Sequence, residues 1–257
     1  MPDYLIPNLL NACRVLQFLA DEPAPGASVA GIARELHIPR TTALRIVTTC
    51  CQGGLLRESG GLYTLGAGLI PLGMKALEGV DLRRGAQPLL RRLAEATDET
   101  AHLAMPVENR ALLVEVCQSP HPIRVGSPAG TLADLNCSST GKVFLAYLFR
   151  ERLEELFRQL KPRPRTPRTL TTAKAMAQEV ERILALGYAL DDEEYCEGIR
   201  CLAAPVRDNE GCVVAAVGIT GPSSRFTRER IKPCAEKVLA TAQELSRSLG
   251  FREQGAL

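Results

Sequence analysis

The sequence has no tryptophan, and aromatic residues make up only 4% of its 257 residues. A dominant charge is also missing, because 31 Lys and Arg are balanced by 29 Asp and Glu. Net charge therefore gives no sign of a nucleic-acid partner, which has to be argued from local arrangement. The densest apolar run, residues 212–219, is far shorter than the roughly 18 residues of a membrane helix. We expect no membrane partner and one or two domains.

Metal-ligand spacing is absent as well. None of the nine cysteines forms a Cys-x-x-Cys pair, and only three histidines are present. Zinc sites need clustered ligands, so we expect reduced cysteines that act as small buried apolar residues. The first residues lack the charged-then-apolar layout of a signal peptide, which favours a cytoplasmic location. The sequence predicts neither a metal site nor a cofactor.

The N-terminal part has the pattern of three helices followed by a hairpin. Apolar residues recur at helical spacing over residues 8–20, with Asn8 as a cap, and Ser28 caps a short second helix. A third helix is predicted over 40–52, and two short strands flank a Gly-rich turn near residues 58–61. This order is typical of a winged helix-turn-helix.

The third helix has a polar face without acidic residues. Thr41, Arg45 and Thr48 recur at helical spacing on this face, and we assign its apolar side to Leu44, Val47 and Cys51. Arginine can pair with guanine edges, and threonine hydroxyls suit phosphates. The predicted DNA contacts are Arg40, Thr41, Thr42, Arg45 and Thr48 on the helix and Arg57 on the wing. A solvated face in a protein-interaction domain is the alternative.

The charge of this region indicates how it would bind. Residues 1–72 contain five Arg and five acidic residues, so the electrostatic contribution to DNA affinity is weak and two copies are needed. Residues 66–97 predict a helical connector, which would contact either a second copy or the next domain. From residue 98 onward, strands and helices mix without regular alternation, which indicates an α+β fold. We predict strands over 100–107, 111–117, 199–206 and 212–220, and helices over 139–160, 173–186 and 227–249.

One short motif raises the question of an enzyme. Residues 139–142 satisfy the Ser-x-x-Lys pattern, in which lysine activates serine, but no Ser-Asp-Asn or Lys-Thr-Gly motif follows. A helix N-terminus whose hydroxyls and free N–H groups hold an anion is the favoured interpretation. A small-molecule enzyme that uses Ser139 with Lys142, or Cys201 as a nucleophile, is the alternative function.

Two charged segments lie in the C-terminal part. The acidic cluster at residues 191–194 and Glu197 lacks the alternating ladder of a calcium loop. A solvated loop is its simplest interpretation, and a wall of a ligand pocket is the main rival. Residues 156–178 contain six cations, no acids and several prolines, which predicts an exposed loop.

Four segments together resemble one known family. Residues 187–194 and 198–206, the wing end at 62–66 and the helix start at 141–146 are similar to IclR-type bacterial transcriptional regulators. Arg207 departs from the family pattern, and His37 stands where glycine is common. The resemblance implies a winged helix-turn-helix over 1–72, a helical linker over 73–97 and a GAF-like effector-binding domain over 98–257.

The resemblance also implies partners and site residues. Members of the family form homodimers that often pair into tetramers, bind double-stranded operator DNA, and sense a small organic or aromatic acid. Their pocket positions match Ser139, Thr140, Asp191, Cys201, Gly218 and Thr220. Gly218 lacks the side chain common at its position, which enlarges the pocket or removes one contact. The predicted function is a ligand-responsive DNA-binding regulator and not an enzyme, so no catalytic residue is assigned.

Overall fold

The computed structural model describes residues 5–21, 26–78 and 81–252. The chain divides into two compact units, residues 1–80 and 81–257, and each is described by itself. The loop predicted at 21–26 and the connector predicted at 66–97 fall partly outside the described residues.

The first unit consists of three helices, a hairpin and a fourth helix. In chain order these are α1 (Pro7–Asp21), α2 (Val29–Glu35), α3 (Arg40–Gln52), β1 (Leu56–Ser59), β2 (Leu62–Leu65) and α4 (Leu69–Glu78). Strands β1 and β2 pair antiparallel. A single apolar cluster joins α1, α2, α3 and β1, with Val15, Ile32 and Val47 fully buried at its centre. This is the predicted winged helix-turn-helix.

The helix starts in this unit test two predicted caps. Ser28 caps α2 as predicted, because its side chain accepts a hydrogen bond from the backbone N–H of Gly31. The prediction that Asn8 caps α1 is wrong, since the helix already begins at Pro7. Proline suits the first helical position because its φ is preset and its missing N–H would have had no partner there.

The second unit is a six-stranded antiparallel sheet with helices packed against it. Its elements are α5 (Asp81–Thr97), β3 (Thr100–Val107), β4 (Arg110–Cys117), β5 (Leu132–Asp134), α6 (Ser139–Leu148), α7 (Leu153–Leu160), α8 (Ala173–Leu186), β6 (Ala189–Asp192), β7 (Ile199–Arg207), β8 (Val213–Pro222) and α9 (Arg228–Ser248). The strand order is β5-β4-β3-β8-β7-β6. The mixture of helices with an antiparallel sheet is the predicted α+β class.

Both faces of this sheet are covered. Ala104, Ala203 and Ala216 belong to the apolar cluster that α6, α7 and α8 form over the sheet. Leu103 and Val217, which alternate with these residues along their strands, are also fully buried. Helices α5 and α9 pack against each other and against the sheet. The second part of the predicted linker, α5, is thus packed within the second unit.

The structure differs from the sequence analysis at three elements of this unit. Strands β5 and β6 were not predicted, since each is at most four residues long. The helix predicted over 139–160 ends at Leu148 and resumes at Leu153 after a short 3-10 turn. Tyr147 and Phe149 both pack on the apolar cluster.

Candidate functional sites: an exposed helix face and a buried cavity

The outer face of α3 is polar and open to solvent. Arg40, Thr41, Arg45 and Thr48 are exposed, whereas Thr42 is partly buried. Arg57 on β1 is exposed as well. No acidic residue occurs in the α3 sequence. The face therefore combines two guanidinium groups with several hydroxyls, the donors that base edges and phosphates accept.

The position of Leu44 corrects the assignment of the apolar side of α3. The buried residues of this helix are Ala43, Ile46, Val47 and Cys50, whereas Leu44 is 48% exposed beside Thr41 and Arg45. Leu44 is apolar, but its position on the helix places it away from the first unit's core, which lies on the side of Val47. An exposed leucine on a reading face can contact the methyl group of thymine.

The turn before α3 is held by two features. His37 has a φ of +53°, a left-handed conformation that glycine adopts without steric cost, which explains why glycine is common there in the family that the sequence resembles. The guanidinium of Arg14 donates to the carbonyl of Leu36 at 3.0 Å and fastens the turn to α1. The backbone conformation of His37 and the hydrogen bond from Arg14 together fix the start of α3 relative to the core of its unit.

The second unit contains a small cavity between α6 and the sheet. Its lining residues are His102, Leu113, Ser127, Thr131, Ala133, Ser138, Ser139, Thr140, Asp191, Tyr195, Cys201 and Thr220. Its volume is about 70 Å³. Asp191, Cys201 and Thr220 lie opposite one another on β6, β7 and β8 and form a polar row across the sheet. Five of the six predicted effector residues thus line this one cavity.

The N-terminus of α6 forms the opposite side of the cavity. Ser138 caps the helix: its hydroxyl accepts from the N–H of Gly141 at 3.1 Å and donates to the carbonyl of Asp134 at 2.6 Å. Ser139 and Thr140 follow in the first turn and are buried. The first turn of a helix carries N–H groups without intrahelical partners and partial positive charge, which together favour an anion.

The carboxylate of Asp191 is buried and only half satisfied. Its Oδ1 accepts from the backbone N–H of Glu194 at 2.7 Å and of Tyr195 at 3.2 Å. Its Oδ2 has no hydrogen-bond partner in the protein. Burial raises the pKa of Asp191 to about 6, although the N–H of Glu194 favours the ionised form.

The thiol of Cys201 is unsuited to nucleophilic chemistry. Its Sγ lies 3.0 Å from the hydroxyl of Thr220. Burial raises the pKa of Cys201 well above the ordinary thiol value, and the neighbouring Asp191 adds to the shift. Since the thiolate is the reactive form, Cys201 is a neutral lining residue.

Lys142 is bound to other groups than Ser139. It is fully buried, and its Nζ donates to Glu194 at 2.5 Å, to Glu179 at 3.1 Å and to the carbonyl of Leu190. All three N–H donors of the ammonium are therefore used. Lys142 ties α6 to α8 and β6 and does not activate Ser139.

His102 on β3 is a cavity residue that the sequence analysis missed. It lies opposite Gly218 on β8. A Cβ at position 218 would lie 2.8 Å from Nε2 of His102 and 2.3 Å from the carbonyl oxygen of Leu202. Gly218 itself does not line the cavity, and the space where its side chain would stand is taken by the Leu202 carbonyl and the imidazole, so the glycine does not enlarge the pocket. The alternation of Thr100 and His102 on an otherwise apolar strand was the available signal.

The acidic cluster at residues 191–194 is not a solvated loop, which corrects the simplest interpretation, although Glu197 is exposed. Asp191 and Glu194 are buried, while Asp192 is paired with the guanidinium groups of Arg200, Arg168 and Arg228. Among the described residues no group of three or more ligand side chains could hold a metal ion. Within the same part of the chain, no helix is long and apolar enough to cross a membrane.

Comparison with known proteins identifies the family of both parts of the chain. The family model described as the IclR helix-turn-helix domain matches residues 9–60. The model described as the bacterial transcriptional regulator IclR C-terminal domain matches residues 74–247. The chain belongs to the IclR family. IclR-family proteins are transcription regulators, so the chain is a DNA-binding regulator and not an enzyme.

Individual relatives cover nearly the whole chain. The transcriptional repressor AllR of Escherichia coli K12 is 30% identical over 240 residues, which is 93% of this chain and 88% of AllR. The regulator KdgR of the same strain is 29% identical over 250 residues, 96% of this chain and 94% of KdgR. The crystal structure of Thermotoga maritima IclR has 30% identity and a TM-score of 0.69, and the match covers 95% of this chain and 98% of that one.

Proposed function

We propose that this IclR-family regulator binds operator DNA through α3 and the β1–β2 wing and responds to a small organic acid in the cavity of its second unit. The observation that carries the effector site is the meeting of Ser139, Thr140, Asp191, Cys201 and Thr220 around one cavity. A helix N-terminus on one side and a polar row on the other can hold a carboxylate and a second polar group. An operator-binding protein acts where the DNA is, in the cytoplasm.

The size of the cavity favours a short aliphatic acid over an aromatic one. The cavity measures about 70 Å³, whereas an apolar cavity that holds benzene measures about 150 Å³. The carboxylate belongs at Ser139 and Thr140, because the charge of Asp191 would repel it at the other end. The proposed effector is therefore a short hydroxy or keto acid.

The first unit supports binding as a homodimer, which can pair further into a tetramer. Its charged residues balance, so a single copy has little electrostatic affinity for DNA. Leu5, Ile6, Leu9 and Leu10 at the start of α1 are half or more exposed. An apolar patch of this kind marks a surface that another protein covers. We propose a second copy of this chain as the occupant, and sedimentation of the protein with and without operator DNA measures it.

DNA binding is tested at Arg45. Arg45→Ala should weaken operator binding by about 1–3 kcal/mol per half-site, because a bidentate contact to a base is lost. Arg158→Ala removes the same charge from the exposed surface of the second unit and serves as the matched control. Gel-shift titration at fixed salt measures both. Equal affinity of the Arg45 variant and the control would refute the assignment of α3.

Effector binding is tested at the start of α6. Ser139→Ala with Thr140→Val should weaken the binding of an acid and leave operator binding by the ligand-free protein unchanged. Thr241→Val with Ser248→Ala removes two hydroxyls that bond only to the backbone of α9 and is the control. Calorimetric titration with short acids measures the affinity. Equal binding by both variants would show that the anion does not lie at this helix end.

A further inference from the structure

A second pocket of the second unit lies where β4 and β5 meet the loop that follows α7. Arg110 on β4 and Asp134 on β5 lie opposite each other in the sheet, and loop residues 161–165 complete the pocket. It shares no lining residue with the cavity of the proposed effector site. Its volume is about 450 Å³, within the range of about 300–1,000 Å³ that is usual for small-molecule sites.

The charge of this pocket is strongly positive. Four cations line it, namely Arg110, Lys161, Arg163 and Arg165, and among the described lining residues only Asp134 is acidic. The carboxylate of Asp134 is already matched, because its Oδ2 lies 2.6 Å from Nη2 of Arg165 and its Oδ1 lies 3.4 Å from Nε of Arg110. Within the described part of the chain, Lys161 and Arg163 have no ion-pair partner. The pocket therefore has an excess of three positive charges.

Two of the four cations are held in place by the protein. The Nε of Arg165 donates to Asp134 at 2.7 Å, and its guanidinium lies 4.2 Å above the centre of the Tyr195 ring. A guanidinium N–H of Arg110 donates to the carbonyl of Leu132 at 2.8 Å. Side chains that are already ordered lose little entropy when a ligand binds. The two arginines thus provide a fixed part of the site, to which the exposed Lys161 and Arg163 add free charges.

The excess of positive charge indicates the chemical class of the ligand. A phosphate group carries about −1.5 to −2 charges at neutral pH and has three strong acceptor oxygens, whereas a carboxylate carries one charge on two oxygens. Arginine pairs with phosphate through two parallel hydrogen bonds, and lysine binds it as a point charge. One phosphate can therefore be contacted by several of these cations at once.

We propose that the pocket lined by Arg110, Lys161, Arg163 and Arg165 binds a small molecule that carries a phosphate or diphosphate group. This second ligand site does not depend on the assignment of the effector cavity. A duplex presents its phosphates along an extended backbone, whereas these cations line a concave pocket of small-molecule size. The pocket therefore suits a small phosphorylated ligand better than DNA.

The first experiment compares probes that differ in their phosphate content. Pyrophosphate, ribose 5-phosphate, ribose and citrate are titrated calorimetrically into the full-length protein at about 50 mM salt, where screening is weak. We expect both phosphorylated probes to bind about tenfold or more tightly than ribose and more tightly than citrate. Ribose 5-phosphate that binds no better than ribose, or citrate that binds best, would overturn the proposal.

The free cations of the pocket can be removed without touching the folded network. Lys161→Ala with Arg163→Ala should weaken pyrophosphate binding by about tenfold or more and leave the thermal unfolding temperature nearly unchanged, because both side chains are exposed. Arg158→Ala with Lys174→Ala removes two exposed charges nearby that do not line the pocket, and is the matched control. Equal losses in both double variants would show a general attraction of charge and overturn the proposal.

A footprinting measurement needs no variant. The wild-type protein is acetylated at its lysines with and without pyrophosphate, and the sites are quantified by mass spectrometry. Pyrophosphate should slow the acetylation of Lys161 but not that of Lys174, which is equally exposed and lies outside the pocket. Equal protection of both lysines, or of neither, would contradict a ligand in this pocket.

Two further outcomes separate this site from the other ligands of the protein. Ser139→Ala with Thr140→Val should leave pyrophosphate binding unchanged, and a loss there would place the anion in the effector cavity and overturn the proposal. Lys161→Ala with Arg163→Ala should leave the gel-shift of a non-specific duplex unchanged. Weaker DNA binding by that variant together with normal pyrophosphate binding would assign the cations to DNA instead.

Discussion

The two units of this chain present their candidate functional groups in opposite ways. In the first unit, Arg45 and its neighbours on α3 stand exposed, on one helix and within a few residues of each other. In the second unit, the groups are buried and come from α6 and four strands of the sheet. The groups of the exposed face are hydrated, whereas the charged groups of the cavity have to be compensated within the protein before any ligand arrives.

That difference has an energetic consequence. A polar group on a surface is hydrated, so its removal changes binding and hardly changes folding. A buried charge is stable only with its partners in place, so its removal changes folding first. The loss of one polar or charged side chain should therefore change mainly DNA affinity in the first unit and mainly the free energy of unfolding in the second.

The largest expected effect is the loss of stability that follows the removal of Lys142. Lys142→Met leaves Glu179 and Glu194 without their buried ammonium partner and should lower the free energy of unfolding by about 3 kcal/mol. Urea denaturation measures the loss, and hydrogen exchange should rise in α6 and β6 but not in α3. Lys174→Met, which changes an exposed lysine, should have little effect. Similar losses in both variants would contradict the buried network.

The next largest expected effect is that of pH on the binding of a short acid. Burial raises the pKa of Asp191 to about 6, so this carboxyl becomes neutral as the pH falls below that value and then no longer repels a ligand carboxylate. Binding of a short acid should therefore weaken by about tenfold as the pH rises from about 5.5 to about 8. Glu194, whose pKa burial raises to about 7 against the effect of Lys142, acts in the same direction.

Asp191→Asn isolates the contribution of Asp191 to this profile. The amide oxygen can keep the hydrogen bonds from the N–H groups of Glu194 and Tyr195, while the titrating charge is gone. Calorimetry across the pH range should give a flatter profile for this variant. An equally steep profile would assign the pH dependence to Glu194.

A smaller effect is expected at Leu44. Leu44→Ala should weaken specific operator binding by about 1 kcal/mol through lost contact with a thymine methyl group, and should leave stability nearly unchanged. Val47→Ala removes two methyl groups from the core, where Val47 is fully buried, and should lower stability instead. Gel-shift and denaturation measurements on both variants separate the two roles. A destabilised Leu44 variant with normal DNA binding would contradict them.

The smallest effect is expected at the cap of α2. Ser28→Ala removes the hydrogen bond that the Gly31 N–H donates to the serine hydroxyl and should lower the stability of the first unit by about 0.5–1 kcal/mol. Ser28→Asp, which preserves a capping acceptor, is the control. Thermal unfolding followed by circular dichroism checks both variants. A loss of equal size in Ser28→Asp would show that the cap does not matter.

The same comparison explains what the sequence could predict. The bounds of α3 agree with the prediction over 40–52, because the signals for a helix are local. Its outer face followed from spacing alone, except that Leu44 was judged by hydrophobicity and not by helical phase. The resemblance to the family supplied the set of cavity residues, since no spacing along the chain relates Ser139 to Asp191.

The unpredicted parts depend on contacts distant in sequence. His102 became visible as a cavity residue only when β3 was paired with β8, which sets it against Gly218. Strand β6 was taken for a loop because four residues carry too little pattern, and because the pairing with β7 that stabilises it lies outside the segment. Strand register depends on contacts between segments that are distant in the chain. The role of a residue that depends on register therefore cannot be predicted from the local sequence pattern.

The position of β6 gives the cavity walls of unequal stiffness. Among the described strands, β6 borders the sheet and pairs with β7 alone, over four residue pairs. Displacing β7 or β8 would break a hydrogen-bond ladder on each side, whereas displacing β6 breaks one. Asp191 lies on this compliant wall, and the next turn joins it through Glu194 to Lys142 on α6. A ligand that pulls on Asp191 therefore acts on an edge strand that a single hydrogen-bond ladder holds to the sheet.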